Sequence, residues 1–470
     1  MILKRTLLPF ILIFSLQAFA QQESYKIELE IKGYEDSVAY LGYHFGTKKY
    51  LQDTSLIAKG GKVTFDGNKV LKPGVYFLYS PKFYMEFVVD EQNFSISTQM
   101  DDNYGAMIVK NSKSNEQFRD FQQLMIAHQQ HVREMTQILD STSTKADSAV
   151  VLQQLGEINL KNEQARDSME VAYQGSFVAE LLFLMNLKPD FHFEGDSLSV
   201  EQRREQYYQY KHNYFGELNF NSEGLLRTPI FDAKINEYLD KVTIQNPDSV
   251  IASVDFLLQK SEKNEELYRY LLVTFFQKYQ NHKIMGMDKV FVHLANQYYL
   301  KGKAPWADEA MLKELKDEMV FHQDNQIGNK APQIYFQDTL GVTQNLYAIK
   351  DDYVILYFYS PTCGHCKKKT PVLKQVYDEL DGKAEVVAVC TDTDAAKWKE
   401  FIKELDLDWL NYADLGHRSN FRVQYNVRST PVLYILDKDK QIIAKKLDVE
   451  QVKGFIEEQI RRESAKDLTN

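Results

Sequence analysis

Alternation of hydrophobic and polar residues dominates the chain from residue 21 to about residue 110. Ile27, Leu29 and Ile31 alternate with charged residues, which is typical of a half-buried strand. Similar short runs recur at 38–43, 62–65, 75–79, 85–90 and 94–98. Turn-forming pairs such as Gly60-Gly61 and Pro73-Gly74 separate them. The pattern predicts a small β-sandwich-like domain over residues 21–110.

The hydrophobic period then changes to that of a helix. Phe118, Phe121, Leu124 and Met125 share one helical face, and similar stripes continue for about two hundred residues. We expect helices near 113–139, 146–171, 177–187, 200–214, 231–242, 250–262, 266–279, 287–299 and 307–321. The sequence therefore predicts an all-α domain over residues 111–326.

Strand and helix patterns alternate from residue 327 to the end. Strands are expected near 353–359, 385–390, 410–412, 432–436 and 442–446, and helices near 363–380, 395–405, 418–425 and 449–462. This alternation predicts an α/β domain over 327–470 whose sheet is at least partly parallel.

Residues 1–20 have the three parts of a secretory signal peptide. Lys4 and Arg5 give a positive start, residues 7–16 are apolar, and Ala18-Phe19-Ala20 is a small-x-small cleavage site. The alternative, an uncleaved anchor, fits poorly because the apolar run is short for a membrane span. We expect an exported protein that begins at Gln21 and resides in the periplasm or cell envelope.

Composition limits the partners and the role of the cysteines. The formal net charge of −10 argues against a nucleic-acid partner. Only three cysteines occur, all in the last quarter, so an exported chain of this size has not used structural disulfides. Cys390 lies in the apolar run 386–390 and is interpreted as a small core residue.

The other two cysteines, Cys363 and Cys366, lie where a predicted strand ends and a helix begins. A spacing of three residues in a first helical turn brings the two Cα atoms close enough for a disulfide. Backbone N–H groups and the helix dipole favour an anion at a helix N-terminus. The sequence thus predicts a reactive thiolate at Cys363.

Metal binding is the alternative reading of such residues. A zinc site would need two further ligands, and only His365, between the cysteines, and the distant His417 are candidates. His128 and His131, with Glu134 one turn on, could share one helical face, but nothing nominates the remaining ligands. We therefore expect no metal.

Together these motifs resemble those of a thioredoxin fold, specifically the exported TlpA/ResA-like thiol–disulfide oxidoreductases. The resemblance rests on residues 328–332 (GNKAP), Cys363-Gly364-His365-Cys366, Pro371, Thr430-Pro431 and residues 437–439 (DKD). More loosely, the whole chain resembles a multidomain form with an N-terminal β-domain and a helical middle domain.

The resemblance implies a role for each motif residue. Cys363 is the attacking thiol and Cys366 the resolving thiol, and their redox-active disulfide stands in place of a cofactor. Pro431 is cis, and Thr430-Pro431 faces the cysteines and binds an extended substrate segment. Gly364, His365 and Pro371 support the active site.

Three residues depart from the family pattern. Thr362 replaces the usual tryptophan before the first cysteine, Tyr357 replaces the buried acid of thioredoxin, and Lys369 replaces a common glutamate. The proton acceptor for Cys366 is therefore not identified. Gly364-His365 resembles the disulfide-isomerase active site instead, so the direction of the reaction stays open.

The leading hypothesis is an enzyme, an exported thiol–disulfide oxidoreductase that reduces or isomerises protein disulfides. Its partners would be cysteine-containing client proteins and a membrane thiol electron donor; the sequence does not indicate an oligomeric state. The alternative is an envelope binding or scaffold protein with an accessory thioredoxin-like domain. A peroxiredoxin is disfavoured because its Pro-x-x-x-Thr-x-x-Cys pattern is absent.

Overall fold

The computed structural model describes residues 24–102, 104–141, 144–189, 191–195, 197–216 and 218–467. The predicted signal peptide and its cleavage site at Gln21 lie outside these residues. These described residues divide into two compact units, of which the first ends at Tyr238 and the second begins at Leu239. The predicted boundaries after residues 110 and 326 coincide with changes in secondary structure, and as domain limits they stay predictions.

The first unit begins with eight strands: β1 (Tyr25–Lys32), β2 (Val38–Phe45), β3 (Lys48–Leu56), β4 (Lys62–Gly67), β5 (Gly74–Ser80), β6 (Phe83–Val89), β7 (Asn93–Gln99) and β8 (Ile108–Lys110). They form two four-stranded sheets, ordered β4-β1-β7-β8 and β3-β2-β5-β6. One core includes Ile27 and Leu29 from the first sheet and Leu41 and Leu78 from the second. The N-terminal region is therefore β-rich, as the alternation predicted.

In the described part of this unit, five α-helices follow the strands: α1 (Lys113–Ser141), α2 (Lys145–Ala172), α3 (Phe177–Asn186), α4 (Val200–Asn213) and α5 (Phe231–Glu237). Phe118 of α1 and Leu182 of α3 pack with Val75 and Val88, which belong to β5 and β6. Those two strands are consequently buried on both faces, which explains their nearly unbroken hydrophobic sequence.

The second unit opens with four helices: α6 (Pro247–Ser261), α7 (Glu265–Gln280), α8 (Asp288–Leu294) and α9 (Glu309–Met319). Side chains of Asn246, Asn264 and Asp308 cap α6, α7 and α9 by accepting backbone N–H bonds. The helical middle region predicted from the hydrophobic period is thus present, and it contributes helices to both units.

A seven-stranded sheet follows. Its strands are β9 (Tyr335–Gln337), β10 (Thr343–Asn345), β11 (Val354–Tyr359), β12 (Glu385–Cys390), β13 (Leu410–Ala413), β14 (Val432–Leu436) and β15 (Ile442–Lys445), in the order β10-β9-β13-β12-β11-β14-β15. Strands β11, β12 and β13 are parallel, whereas β14 and β15 are antiparallel to their neighbours. The helices are α10 (Gly364–Leu380), α11 (Ala395–Glu404), α12 (Phe421–Gln424) and α13 (Val452–Asp467).

Strand β11 lies inside this sheet and supports the two cysteines. Ile355, Tyr357 and Tyr359 face one hydrophobic core, while Leu356 and Phe358 face the other. A strand buried on both faces is a rigid base, and the chain leaves its carboxyl end directly into the cysteine-bearing loop.

Several local expectations were wrong. Strands β3, β8, β9 and β10 were not anticipated; β3 is almost entirely exposed and pairs only with β2, so it has no hydrophobic alternation. The helix expected over 418–425 is limited to α12. Residues 418–420, the first residues of the expected helix, are not helical. The Asp414 carboxylate there accepts hydrogen bonds from the backbone N–H groups of Arg418 and Ser419.

Candidate active site

The two cysteines lie at the start of α10, immediately beyond β11. Cys363 is the N-cap residue, and its Sγ accepts a hydrogen bond from the Cys366 amide at 3.4 Å. Cys363 is partly exposed, whereas Cys366 is buried, and both are free thiols. The cysteine nearer the helix end is therefore the one that a substrate can reach.

The opposing side of the site is the loop before β14. The Thr430–Pro431 peptide bond is cis, and the Thr430 carbonyl oxygen lies 3.2 Å from Cys363 Sγ. The structure thus brings Thr430 and Pro431 beside Cys363, which the sequence separates by more than sixty residues. Pro371, in contrast, lies inside α10, away from the helix end that carries the cysteines.

Electrostatics make the two thiols unequal. Burial opposes ionisation of Cys363, but hydrogen bonds from the Cys366 amide and from the side chain of Thr430 outweigh it and lower the pKa of Cys363 below its ordinary value. Burial raises the pKa of Cys366 to about 11, and a charge on Cys363 adds to that rise. At neutral pH, Cys363 is therefore the more ionised and more nucleophilic thiol.

A carboxylate that sequence reasoning missed fixes the loop before Cys363. The side chain of Asp392 accepts hydrogen bonds from the hydroxyls of Ser360 at 2.8 Å and Thr362 at 3.1 Å. Asp392 follows β12, the parallel neighbour of β11, so both loops leave the same edge of the sheet. Thr362, at the position where the family usually has tryptophan, thus donates a hydrogen bond to Asp392.

Tyr357 lies on β11 beneath the site. Its hydroxyl pairs with that of Thr370 at 3.1 Å, and both residues are buried. Burial, together with the nearby cysteines, raises the pKa of Tyr357 well above its ordinary value. Tyr357 is therefore a neutral hydroxyl under Cys366, where thioredoxin has an ionisable acid.

Three lysines, Lys367, Lys368 and Lys369, follow Cys366, and the charge of one of them is compensated. Lys369 forms ion pairs with Asp448 at 3.0 Å and Glu450 at 2.8 Å, which compensate its charge. Gly364, His365, Lys367 and Lys368 are exposed. His365 is the basic residue nearest in sequence to Cys363, and its ring can approach a bound substrate.

Cys390 is apart from this chemistry. It is 1% exposed, and burial raises the pKa of its thiol to about 12. Its Sγ donates to the Asp392 carbonyl oxygen at 3.8 Å. A buried, un-ionised thiol has the properties of a core residue.

The histidines considered as metal ligands have other surroundings. His128 Nε2 lies 3.0 Å from Asn159 Oδ1, an amide oxygen. Within the described parts of the chain, no group of three or more His, Cys, Asp or Glu side chains is arranged to hold a metal ion.

Among the helices of the described residues, none combines the length and the apolar character needed to cross a bilayer.

A known family model matches the part of the chain that carries the two cysteines. Residues 351–442 match the thioredoxin-like family model. Residues 25–118 and 197–325 match two families described only as domains of unknown function, DUF4369 and DUF5106. The C-terminal domain is thus thioredoxin-like and is preceded by additional N-terminal regions.

Individual curated relatives match about a quarter of the chain. The thioredoxin-like protein YneN of Bacillus subtilis is 30% identical over 114 residues, which are 24% of this chain and 66% of YneN. Nucleoredoxin of Xenopus laevis is 28% identical over 116 residues, 24% of this chain and 28% of that protein. Because these matches leave much of each relative uncovered, they establish a shared domain and not a shared whole-protein activity.

Among solved structures, a domain of a possible thiol-disulfide isomerase from Cytophaga hutchinsonii is 33% identical and covers 30% of this chain and 96% of that chain, with a TM-score of 0.28. The thioredoxin domain of a thiol-disulfide oxidoreductase from Bacteroides vulgatus is 26% identical and covers 28% and 96%, with a TM-score of 0.27.

Proposed function

We propose that this protein is an exported thiol–disulfide oxidoreductase that reduces or isomerises disulfides of client proteins through Cys363 and Cys366. The observation that carries the proposal is the inequality of the two thiols. One is partly exposed with a lowered pKa, and the other is buried three residues later with a raised pKa. Thiol–disulfide exchange by a dithiol uses an attacking and a resolving thiol of this kind.

The reaction would proceed in two exchanges. The Cys363 thiolate attacks one sulfur of a client disulfide, forming a mixed disulfide and releasing the other client sulfur as a thiolate, which takes up a proton. Cys366 then loses its proton and attacks Cys363 Sγ. The Cys363–Cys366 disulfide forms, the second client thiol leaves, and the client has gained the two electrons that the dithiol lost.

Net reduction requires a source of electrons for the next cycle. In an oxidising envelope we propose a membrane thiol donor, which would reduce the Cys363–Cys366 disulfide by the same exchange. Isomerisation needs no donor, because the client can displace Cys363 before Cys366 reacts. The predicted signal peptide is the support for an envelope location.

The direct test is to trap the mixed disulfide. A Cys366→Ser variant lacks the resolving thiol and should accumulate covalent complexes with clients, which mass spectrometry can identify after reversible release by a reductant. Cys363→Ser is the matched control and should form none. Equal trapping by both variants would contradict the assignment of Cys363, and partners bound without a covalent link would favour the scaffold hypothesis.

A further inference from the structure

A cleft of about 620 Å³ opens beside the two cysteines, within the second compact unit. On one side it is lined by thioredoxin-like residues that include His365 and Pro431. The opposite side, here named the helical wall, consists of Gln280, Asn281, Phe291, Glu318 and His322. These residues belong to α7, α8 and α9 or directly follow them, so the helical region forms part of the surface at the reactive site.

The helical wall is fastened to the sheet by a buried cation. Lys445, on β15, is 5% exposed, and its ammonium pairs with Asp288 of α8. The same ammonium donates to the Asn325 carbonyl oxygen at 3.0 Å, and the Lys445 amide donates to Met285 Sδ at 3.4 Å. Because these contacts hold the helical wall against the sheet, a ligand does not have to bring the two sides of the cleft together.

A second set of contacts joins the wall to the loop that carries Pro431. Arg428 donates to the Glu318 carboxylate at 2.7 Å, and its guanidinium lies 4.2 Å from the centre of the Phe321 ring. Glu318 also pairs with His322 Nε2 at 3.1 Å. The position of the loop beside Cys363 therefore depends on the helical wall as well as on the sheet.

The chemistry of the lining suits a polypeptide. The side-chain amides of Gln280, Asn281 and Asn426 can each donate to and accept from peptide groups. Leu447, which is partly exposed, offers apolar surface for a side chain, and the buried Phe291 supports the floor of the cleft. The volume lies within the range of about 300–1,000 Å³ that is usual for ligand sites. A small disulfide needs to reach Cys363 alone, whereas a longer chain that crosses Pro431 would meet this cleft, because Pro431 is part of its lining.

We propose that the helical wall binds the polypeptide segment next to the client cysteine, so that the preferred substrate is an extended, cysteine-containing segment of a protein and not a small disulfide. This inference rests on the proposed function. It gives the helical region next to the thioredoxin-like domain the task of client recognition.

The test fills the cleft without altering the cysteines. Gln280 is exposed at the end of α7, so Gln280→Trp should fold and obstruct the cleft. Gln277→Trp is the matched control, because Gln277 is exposed on the same helix and is not part of the lining. Asn281→Trp is a second obstructing variant. Circular dichroism would verify that each is folded.

Each pre-reduced variant is mixed with insulin, a protein disulfide substrate, or with hydroxyethyl disulfide, and oxidation of its dithiol is followed. Gln280→Trp and Asn281→Trp should lower the rate constant with insulin at least about tenfold, equal to about 1.4 kcal/mol. Their rate with hydroxyethyl disulfide should stay within about twofold of the parent protein, and Gln277→Trp should change neither.

Each other outcome has a definite meaning. Equal loss with both substrates would overturn the inference, because the wall would then only position the reactive loop. An unchanged rate with insulin would overturn it as well. The proposed function fails separately: if Cys363→Ser still reduces both disulfides, the dithiol assignment is wrong whatever the wall variants do.

Discussion

The two thiols of the pair should differ strongly in their rate of alkylation. With a pKa of about 11, about one Cys366 thiol in ten thousand is ionised at pH 7. The pKa of Cys363 is lowered below the ordinary thiol value of about 8.5, so more than about one Cys363 thiol in a hundred is ionised at pH 7. The thiolate populations therefore differ by at least about a hundredfold.

Two further effects modify this ratio. A more basic thiolate is intrinsically more nucleophilic, and a Brønsted slope of about 0.45 over two pKa units offsets about eightfold. A preference of at least about tenfold for Cys363 remains on ionisation alone. Burial adds to the preference, because Cys366 and Cys390 are 0% and 1% exposed.

The measurement is a time course with iodoacetamide on the reduced protein at pH 7, followed by quantification of each cysteine peptide by mass spectrometry. The rate at Cys363 should rise with pH up to the pKa of that thiol and then level off, since only the thiolate reacts. Cys363→Ser should leave only slow labelling. Comparable labelling of Cys366 or Cys390 in the folded protein would refute the reasoning.

Three other outcomes are expected. An imidazolium at residue 365 would stabilise the reduced Cys363 thiolate, so His365→Pro should lower the reduction potential by about 10–40 mV in glutathione equilibration; an unchanged potential would contradict this. Lys445→Met should lower the free energy of unfolding in urea by about 3 kcal/mol, because it leaves the partly buried Asp288 carboxylate without its buried cation; a loss below about 1 kcal/mol would show that the pair is dispensable. N-terminal sequencing of the exported protein should begin at Gln21, and finding Met1 would exclude cleavage.

The strand and helix that carry the reactive pair were predictable because their signals are local. A strand buried on both faces, a helix N-terminus and two cysteines three residues apart are all readable within residues 353–380. The edge strand β3 gave no such signal, because exposure on both faces removes the alternation.

The rest of the site depends on tertiary contacts. Asp392 reaches Thr362 only because β11 and β12 are parallel neighbours, and Glu318 reaches Arg428 only because the helical wall lies against the loop before Pro431. A hydrophobic stripe identifies the buried face of a helix, but it does not identify the element on which that face packs. Such partners are therefore not readable from the sequence pattern.

The two hydroxyl groups beneath the site, those of Tyr357 and Thr370, are neutral, and this changes how Cys366 can lose its proton. Tyr357 and Thr370 share a hydrogen bond, and the raised pKa of Tyr357 means that neither hydroxyl is a base at neutral pH. Burial is the main reason for the raised pKa of Cys366, and the charge of the Cys363 thiolate adds to it. When Cys363 enters a mixed disulfide its charge is lost, so that contribution disappears and the pKa of Cys366 falls. The released client thiolate, with an ordinary pKa of about 8.5, is then a nearby acceptor for the proton. Under the proposed function, activation of the resolving thiol would thereby be coupled to capture of the client, and Cys366 stays un-ionised in the resting dithiol.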